Sequence, residues 1–237
     1  MRPTIVLVHG AFAESSSWDQ VIDRLLDAGH PVVAVANPLR GVASDAAYVS
    51  DHIRAIEGPV VLVGHSYGGA VITNVDPDAG EIVGLVYVAA FAPKHGDSCF
   101  ELSAVFPGST LGDALQPVRL SDGTTDLTIV QERFHEQFCA DVSASQAARM
   151  AATQRPVTQE ALVEPSGERP LWRELPSWFV FGEEDCNIPK ALEHYMAERA
   201  GAHRTIEIPG ASHAVPVAHP GTTAGLILDA AALRAVA

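Results

Sequence analysis

The sequence predicts a doubly wound α/β fold: a mostly parallel sheet of about six strands, helices on both faces and an inserted lid. Short apolar, β-branched runs alternate with runs of helical periodicity through residue 89. The alternation stops after Pro93 and resumes at Ser177. A sheet that pauses and then continues contains an insertion, so residues 1–93 and 176–237 are assigned to the core and residues 94–175 to the lid.

Residues 4–8 form a β-branched apolar run of strand length, without the polar alternation of a half-exposed strand, and read as a buried strand. Residues 18–28 place Trp18, Val21, Ile22, Leu25 and Leu26 on one helical face, with Gly29 as the stop. Residues 31–36 are the second strand. Residues 44–56 are a helix with Ser44 as its N-cap, ended by Gly58 and Pro59. Strands follow at 60–63 and 82–89, with a helix at 67–75 between them. Within the insertion, the Asp122-Gly123 turn between two β-prone pieces predicts a hairpin, and residues 140–153 predict a helix. The core pattern then returns as a strand at 177–181, a helix at 189–200, a strand at 204–208 and a closing helix at 221–236.

The chain of 237 residues can bury one large core or two small ones, and its net charge of −14 repels phosphate backbones and anionic lipid. Nucleic acid and membrane are therefore not expected as partners. Cys99, Cys139 and Cys186 form no C-x-x-C pair, which argues against a disulfide framework or a cysteine zinc site and fits a reducing cytoplasm. The first apolar run is halted at His9-Gly10, too short for a secretion signal or a membrane span. The sequence holds no metal-ligand cluster, dinucleotide fingerprint or P-loop, so no cofactor and no metal is expected. It does not fix the oligomeric state.

The chemistry concentrates in Gly64-His65-Ser66-Tyr67-Gly68-Gly69, between a predicted strand and a predicted helix. G-x-S-x-G in that context is a nucleophile elbow: a sharp turn that exposes a serine at the strand's C-terminal end. A serine needs a base, and the base needs an orienting acid. His213 follows the strand at 204–208 and Asp185 follows the strand at 177–181, both on the sheet edge that carries Ser66. Glu183 and Glu184 compete as the acid and His219 as the base; His219 precedes Pro220 and is better placed to cap the last helix. The developing oxyanion needs two N–H donors. Tyr67 supplies one, and the loop His9-Gly10-Ala11-Phe12 supplies the other from Ala11 or Phe12. For that loop to reach Ser66, the first and third strands must be neighbours.

These motifs resemble the α/β-hydrolase superfamily over nearly the whole chain. They are closest to the small esterase-like branch that includes plant methylesterases and hydroxynitrile lyases. The HGAF opening, GHSYGG, LVYVAAFAP at 85–93, GEEDCNIP at 182–189 and ASHAVPVAHP at 211–220 carry the resemblance. It implies the α/β-hydrolase fold with a lid between the sixth and seventh strands of the family's sheet. Lyases of that branch use a threonine in the oxyanion region and a lysine in the pocket. Here Ala11 and Phe12 stand in the first place, and the lysines are only Lys94 and Lys190.

The expected function is therefore a serine hydrolase that cleaves small to medium hydrophobic carboxylic esters through an acyl-enzyme. The alternatives are a non-hydrolytic enzyme of the same fold, either a lyase or a cofactor-free oxidative enzyme, and a non-catalytic small-ligand receptor. Phe134, Phe138 and Trp172 are the candidate apolar wall of the substrate pocket within the lid.

Overall fold

In strand β1 (Thr4–Val8) Ile5 and Leu7 point to one face of a sheet and Val6 and Val8 to the other, and all five residues are buried. Both faces are covered, which is why the run reads as continuously apolar. The computed structural model describes residues 1–233. After β1 come a 3₁₀ turn (Ser15–Trp18), α1 (Asp19–Asp27), β2 (Val32–Val35), α2 (Val42–Arg54), β3 (Pro59–Ser66), α3 (Tyr67–Thr73) and β4 (Glu81–Ala90). The insertion holds α4 (Cys99–Ser103), α5 (Leu111–Ala114), β5 (Leu115–Arg119), β6 (Thr125–Ile129), α6 (Gln131–Phe138), α7 (Ala144–Thr153), β7 (Val157–Thr158), α8 (Gln159–Val163) and a 3₁₀ turn (Leu171–Arg173). The core is completed by β8 (Ser177–Gly182), α9 (Lys190–Arg199), β9 (Arg204–Ile208), α10 (Val215–Ala218) and α11 (Pro220–Ala232).

Six strands make a parallel sheet in the order β2-β1-β3-β4-β8-β9. The chain runs outward from β1 to β2, then returns across β1 to β3. That reversal makes β1 and β3 neighbours, with Val8 opposite Gly64, and opens a crevice at their C-terminal ends. The first 3₁₀ turn, α1 and α11 cover one face through Trp18, Val21, Leu25 and Leu226; α2, α3 and α9 cover the other through Val49, Ile53, Val71 and Leu192.

The insertion carries a separate antiparallel sheet, β5-β6-β7. Its hairpin turns at residues 120–124 as expected, with Gly123 at φ +93°. The two-residue strand β7 is too short to leave a sequence signal. The helix expected at 140–153 begins at Ala144, because Ser143 accepts the Gln146 N–H as its N-cap. Residues 139–143 form a turn between α6 and α7.

Two further boundaries differ from expectation. Helix α2 starts at Val42 with Gly41 as N-cap. Ser44 lies inside it and donates to the Gly41 carbonyl, while the Asp45 carboxylate accepts the Arg40 N–H at 3.1 Å. Trp18 ends a 3₁₀ turn ahead of α1. The closing helix is described to Ala232 and is followed by Leu233; its expected end at Val236 lies outside the described residues.

His9 ties the ends of β1 and β2 together. Its Nε2 accepts the Asn37 N–H at 3.0 Å, and the Asn37 amide donates to the His9 carbonyl at 2.9 Å. Nδ1 then carries the proton and donates to the Gly10 carbonyl at 2.9 Å. The ring is neutral, and burial pushes its pKa down to about 4. An unfolded histidine titrates near 6.5, so below that pH the unfolded chain binds a proton that the folded chain refuses. The stabilisation is complete above pH 6.5 and is lost progressively as pH falls towards 4. Urea unfolding should show a loss of about 2 kcal/mol between pH 7.5 and pH 5 from this residue alone. His9→Gln should lower stability at pH 7.5 and flatten that slope; an unchanged slope would assign the effect to another group.

Candidate active site

Ser66 ends β3 at φ +54°, ψ −123°, a backbone conformation that residues with a side chain rarely adopt. The other described non-glycine residues with positive φ are Phe12, Leu39 and Ala89. All four lie in or just beyond the C-terminal ends of the first four strands, so the strain gathers along one edge of the sheet. Close packing holds the turn: a Cβ at Gly68 would sit 2.4 Å from the Val8 carbonyl oxygen. A Cβ at Gly10 would lie 2.6 Å from Ser66 Cβ and 3.3 Å from its Oγ. The loop after β1 therefore lies directly against the serine, as the expected adjacency of β1 and β3 requires.

The His213 and Asp185 side chains are fully buried, and His213 Nδ1 lies 2.6 Å from Asp185 Oδ2. The carboxylate accepts, so Nδ1 is protonated and Nε2 carries the lone pair. Nε2 is buried and has no hydrogen-bond partner among the described residues. The second oxygen of Asp185 accepts the N–H groups of Asn187 at 2.7 Å and Ile188 at 2.9 Å, which fixes the carboxylate's orientation. His65 donates from Nε2 to the His213 carbonyl at 3.0 Å. Burial, then the neighbouring His213, holds its pKa well below the usual histidine range, so it braces the loop as a neutral ring.

The rival groups are engaged elsewhere. Glu183 pairs with Lys190 at 3.0 Å on the surface, and Glu184 is exposed. His219 occupies the N-cap position of α11, and its Nε2 lies 3.0 Å from Asp141 Oδ2.

Of the two oxyanion candidates after β1, the Phe12 N–H already donates to the Arg155 carbonyl at 3.0 Å, so that donor is occupied. Ala11 remains as the candidate on this side. On the other side Tyr67 opens α3, and its hydroxyl donates to Asp45 at 2.9 Å. Burial raises the Asp45 pKa and, together with the nearby Asp45 charge, raises that of Tyr67. Asp45 thus anchors the residue that follows Ser66; nothing in its helical spacing marked it.

The aromatics of the insertion divide. Phe134 and Phe138 stack at 5.0 Å, and Phe138 sets its edge against the His213 ring at 5.0 Å. Trp172 does not join them. Its indole N–H donates to the Pro93 carbonyl at 2.8 Å, and the Arg199 guanidinium lies 5.6 Å from its ring centre. It ties the two ends of the insertion together, a tertiary role that its hydrophobicity alone did not distinguish from pocket lining. A cleft of about 390 Å³ is bounded by Phe12 and Ala13 from the first loop, Met150 and Gln154 from the insertion, and Pro216 and Val217 beyond His213; Ser66, His213, Phe134, Phe138 and Trp172 are not among its lining residues. No helix among the described residues is long and apolar enough to cross a membrane.

A carbendazim hydrolyzing esterase of Nocardioides sp. (strain SG-4G) is 39% identical over 110 residues, which span 41% of this chain and 46% of that one. A pyrethroid hydrolase of Sphingobium wenxiniae is 28% identical over 251 residues, covering 95% of this chain and 86% of that one. The crystal structure of polyneuridine aldehyde esterase superposes with a TM-score of 0.78 at 21% identity, over 97% of this chain and 99% of the other, and so shares its fold. The model of the alpha/beta hydrolase family matches residues 5–226, and the chain belongs to that family.

Proposed function

We propose that the protein is a serine hydrolase that cleaves small to medium hydrophobic carboxylic esters through an acyl-enzyme. The observation that carries this reading is the buried His213–Asp185 pair, whose Nε2 is left without a partner on the sheet edge where Ser66 is held in a strained turn. Ser66 Oγ attacks the ester carbonyl while His213 Nε2 takes its proton. Asp185 keeps the imidazole in the correct tautomer and stabilises the imidazolium. The N–H groups of Ala11 and Tyr67 receive the developing oxyanion. His213 returns the proton to the departing alcohol, and water then releases the acid by the same steps. No added metal or organic cofactor enters this scheme.

Residues 94–175 act as the lid, which brings the apolar ring of Phe138 against His213. The names of the relatives, an esterase and a hydrolase of small molecules, support the same substrate class. The three cysteines are unpaired, which suits a reducing compartment such as the cytoplasm.

Ser66→Ala and His213→Ala should each lower kcat by on the order of 10⁴-fold or more, and the double variant should be little worse than either single one. His219→Ala should lose far less. Steady-state hydrolysis of p-nitrophenyl butyrate checks this; near-normal turnover by His213→Ala would overturn the choice of base.

Across p-nitrophenyl esters from acetyl to decanoyl, kcat/KM should rise and then fall, each methylene being worth roughly 1–3 kcal/mol until the pocket is full. Phe138→Ala should move the maximum to longer chains. A flat profile in both proteins would show that the lid does not read the acyl group.

A further inference from the structure

Asp141 lies in the turn between α6 and α7 and reaches out of the insertion to the residue that precedes the base. Its Oδ1 accepts the Ser212 hydroxyl at 2.5 Å and its Oδ2 accepts the Ser212 N–H at 3.1 Å. His219 Nε2 approaches the same Oδ2 at 3.0 Å. Ser212 is buried, and its Oγ in turn accepts the Ala214 N–H at 3.3 Å. The peptide unit that follows His213 is thus tied to the serine that precedes it, and that serine is gripped by both oxygens of one carboxylate. The residue's own carbonyl is held by His65. Three residues before Asp141, Phe138 rests its edge on the imidazole itself.

We propose that Asp141 is a positioning residue: acting through Ser212, it sets the placement of the His213 imidazole and couples that placement to the seating of the insertion. The proposal rests on the assignment of His213 as the base. A carboxylate that served only as a surface partner for His219 would have no need to receive both donors of a buried serine. A base displaced by about 1 Å can lose about 10²-fold in rate while substrate binding is kept. His219 contacts the same oxygen that accepts the Ser212 N–H, which further fixes the carboxylate.

The test uses the full chain with p-nitrophenyl butyrate, comparing wild type with Asp141→Ala, Asp141→Asn, Ser212→Ala and the Asp141→Ala/Ser212→Ala double variant, each checked by its thermal midpoint. Asp141→Ala should lower kcat by about 10²-fold and change KM by less than about threefold. Asp141→Asn, which keeps an acceptor and adds a donor for the Ser212 hydroxyl, should recover most of that loss. The double variant should be no slower than Asp141→Ala, since the two residues act in series. An unchanged kcat in Asp141→Ala, a loss confined to KM, no recovery by Asn, or single losses that multiply in the double variant would each overturn the proposal. If Asp141→Ala does not fold, Ser212→Ala decides: a lower kcat at unchanged KM supports the coupling, and an unchanged kcat overturns it. Ser66→Ala run alongside keeps the two readings apart, because turnover surviving in that variant would overturn the triad itself.

Discussion

A serine held in left-handed backbone at the end of a strand buried on both faces is the constraint on which the rest of this structure turns. Such a conformation costs about 1–3 kcal/mol and persists only where its surroundings allow no alternative. The surroundings here are backbone. The β1 carbonyl at Val8 closes on Gly68, and the loop after β1 closes on Ser66 through Gly10, at separations that leave no room for a side chain. Both contacts require β1 and β3 to be neighbours, which follows from the reversal of strand order after β2. The topology thus sets where Ser66 and the candidate oxyanion donor meet.

Much of this was legible in the chain, for a physical reason. Residues buried on both faces of a parallel sheet must be apolar throughout, so β1, β3 and β8 appear as uninterrupted runs. The elbow must be small on either side of its serine, so Gly64 and Gly68 mark it. Asp185 and His213 follow strand runs whose ends define the site edge. What stayed hidden depends on contacts distant in sequence. Phe12 loses its free N–H to Arg155, more than a hundred residues away. Trp172 is drawn to the Pro93 carbonyl at the other end of the insertion. Asp45, which reads as an ordinary helix residue, is buried beneath Tyr67. Ser44 was a reasonable cap by residue type, but Asp45 engages the backbone ahead of the helix and the first turn begins earlier.

Three buried histidines crowd the C-terminal edge of the sheet, and hydrogen bonding gives each a different task. His9 spends both ring nitrogens on backbone groups. His65 spends its proton on the His213 carbonyl. His213 pairs its protonated nitrogen with Asp185 and keeps the other unpartnered among the described residues. Burial holds His9 and His65 neutral near pH 7. That neutrality matters in the proposed mechanism, because His213 becomes cationic during proton transfer. A charged ring at His65, 4.8 Å away between centroids, would oppose that step in a medium where charge is poorly screened.

The acid side of the proposed triad is also set by hydrogen bonding. Glu193, on α9, is 1% exposed and close enough to Asp185 for the two charges to interact. Burial, then repulsion from Asp185, drives its pKa well above the ordinary carboxylate range. Asp185 receives two backbone N–H groups and the imidazole N–H, so three donors fix its carboxylate against His213. The acid that touches the imidazole is thus held in place by the backbone of the loop that carries it.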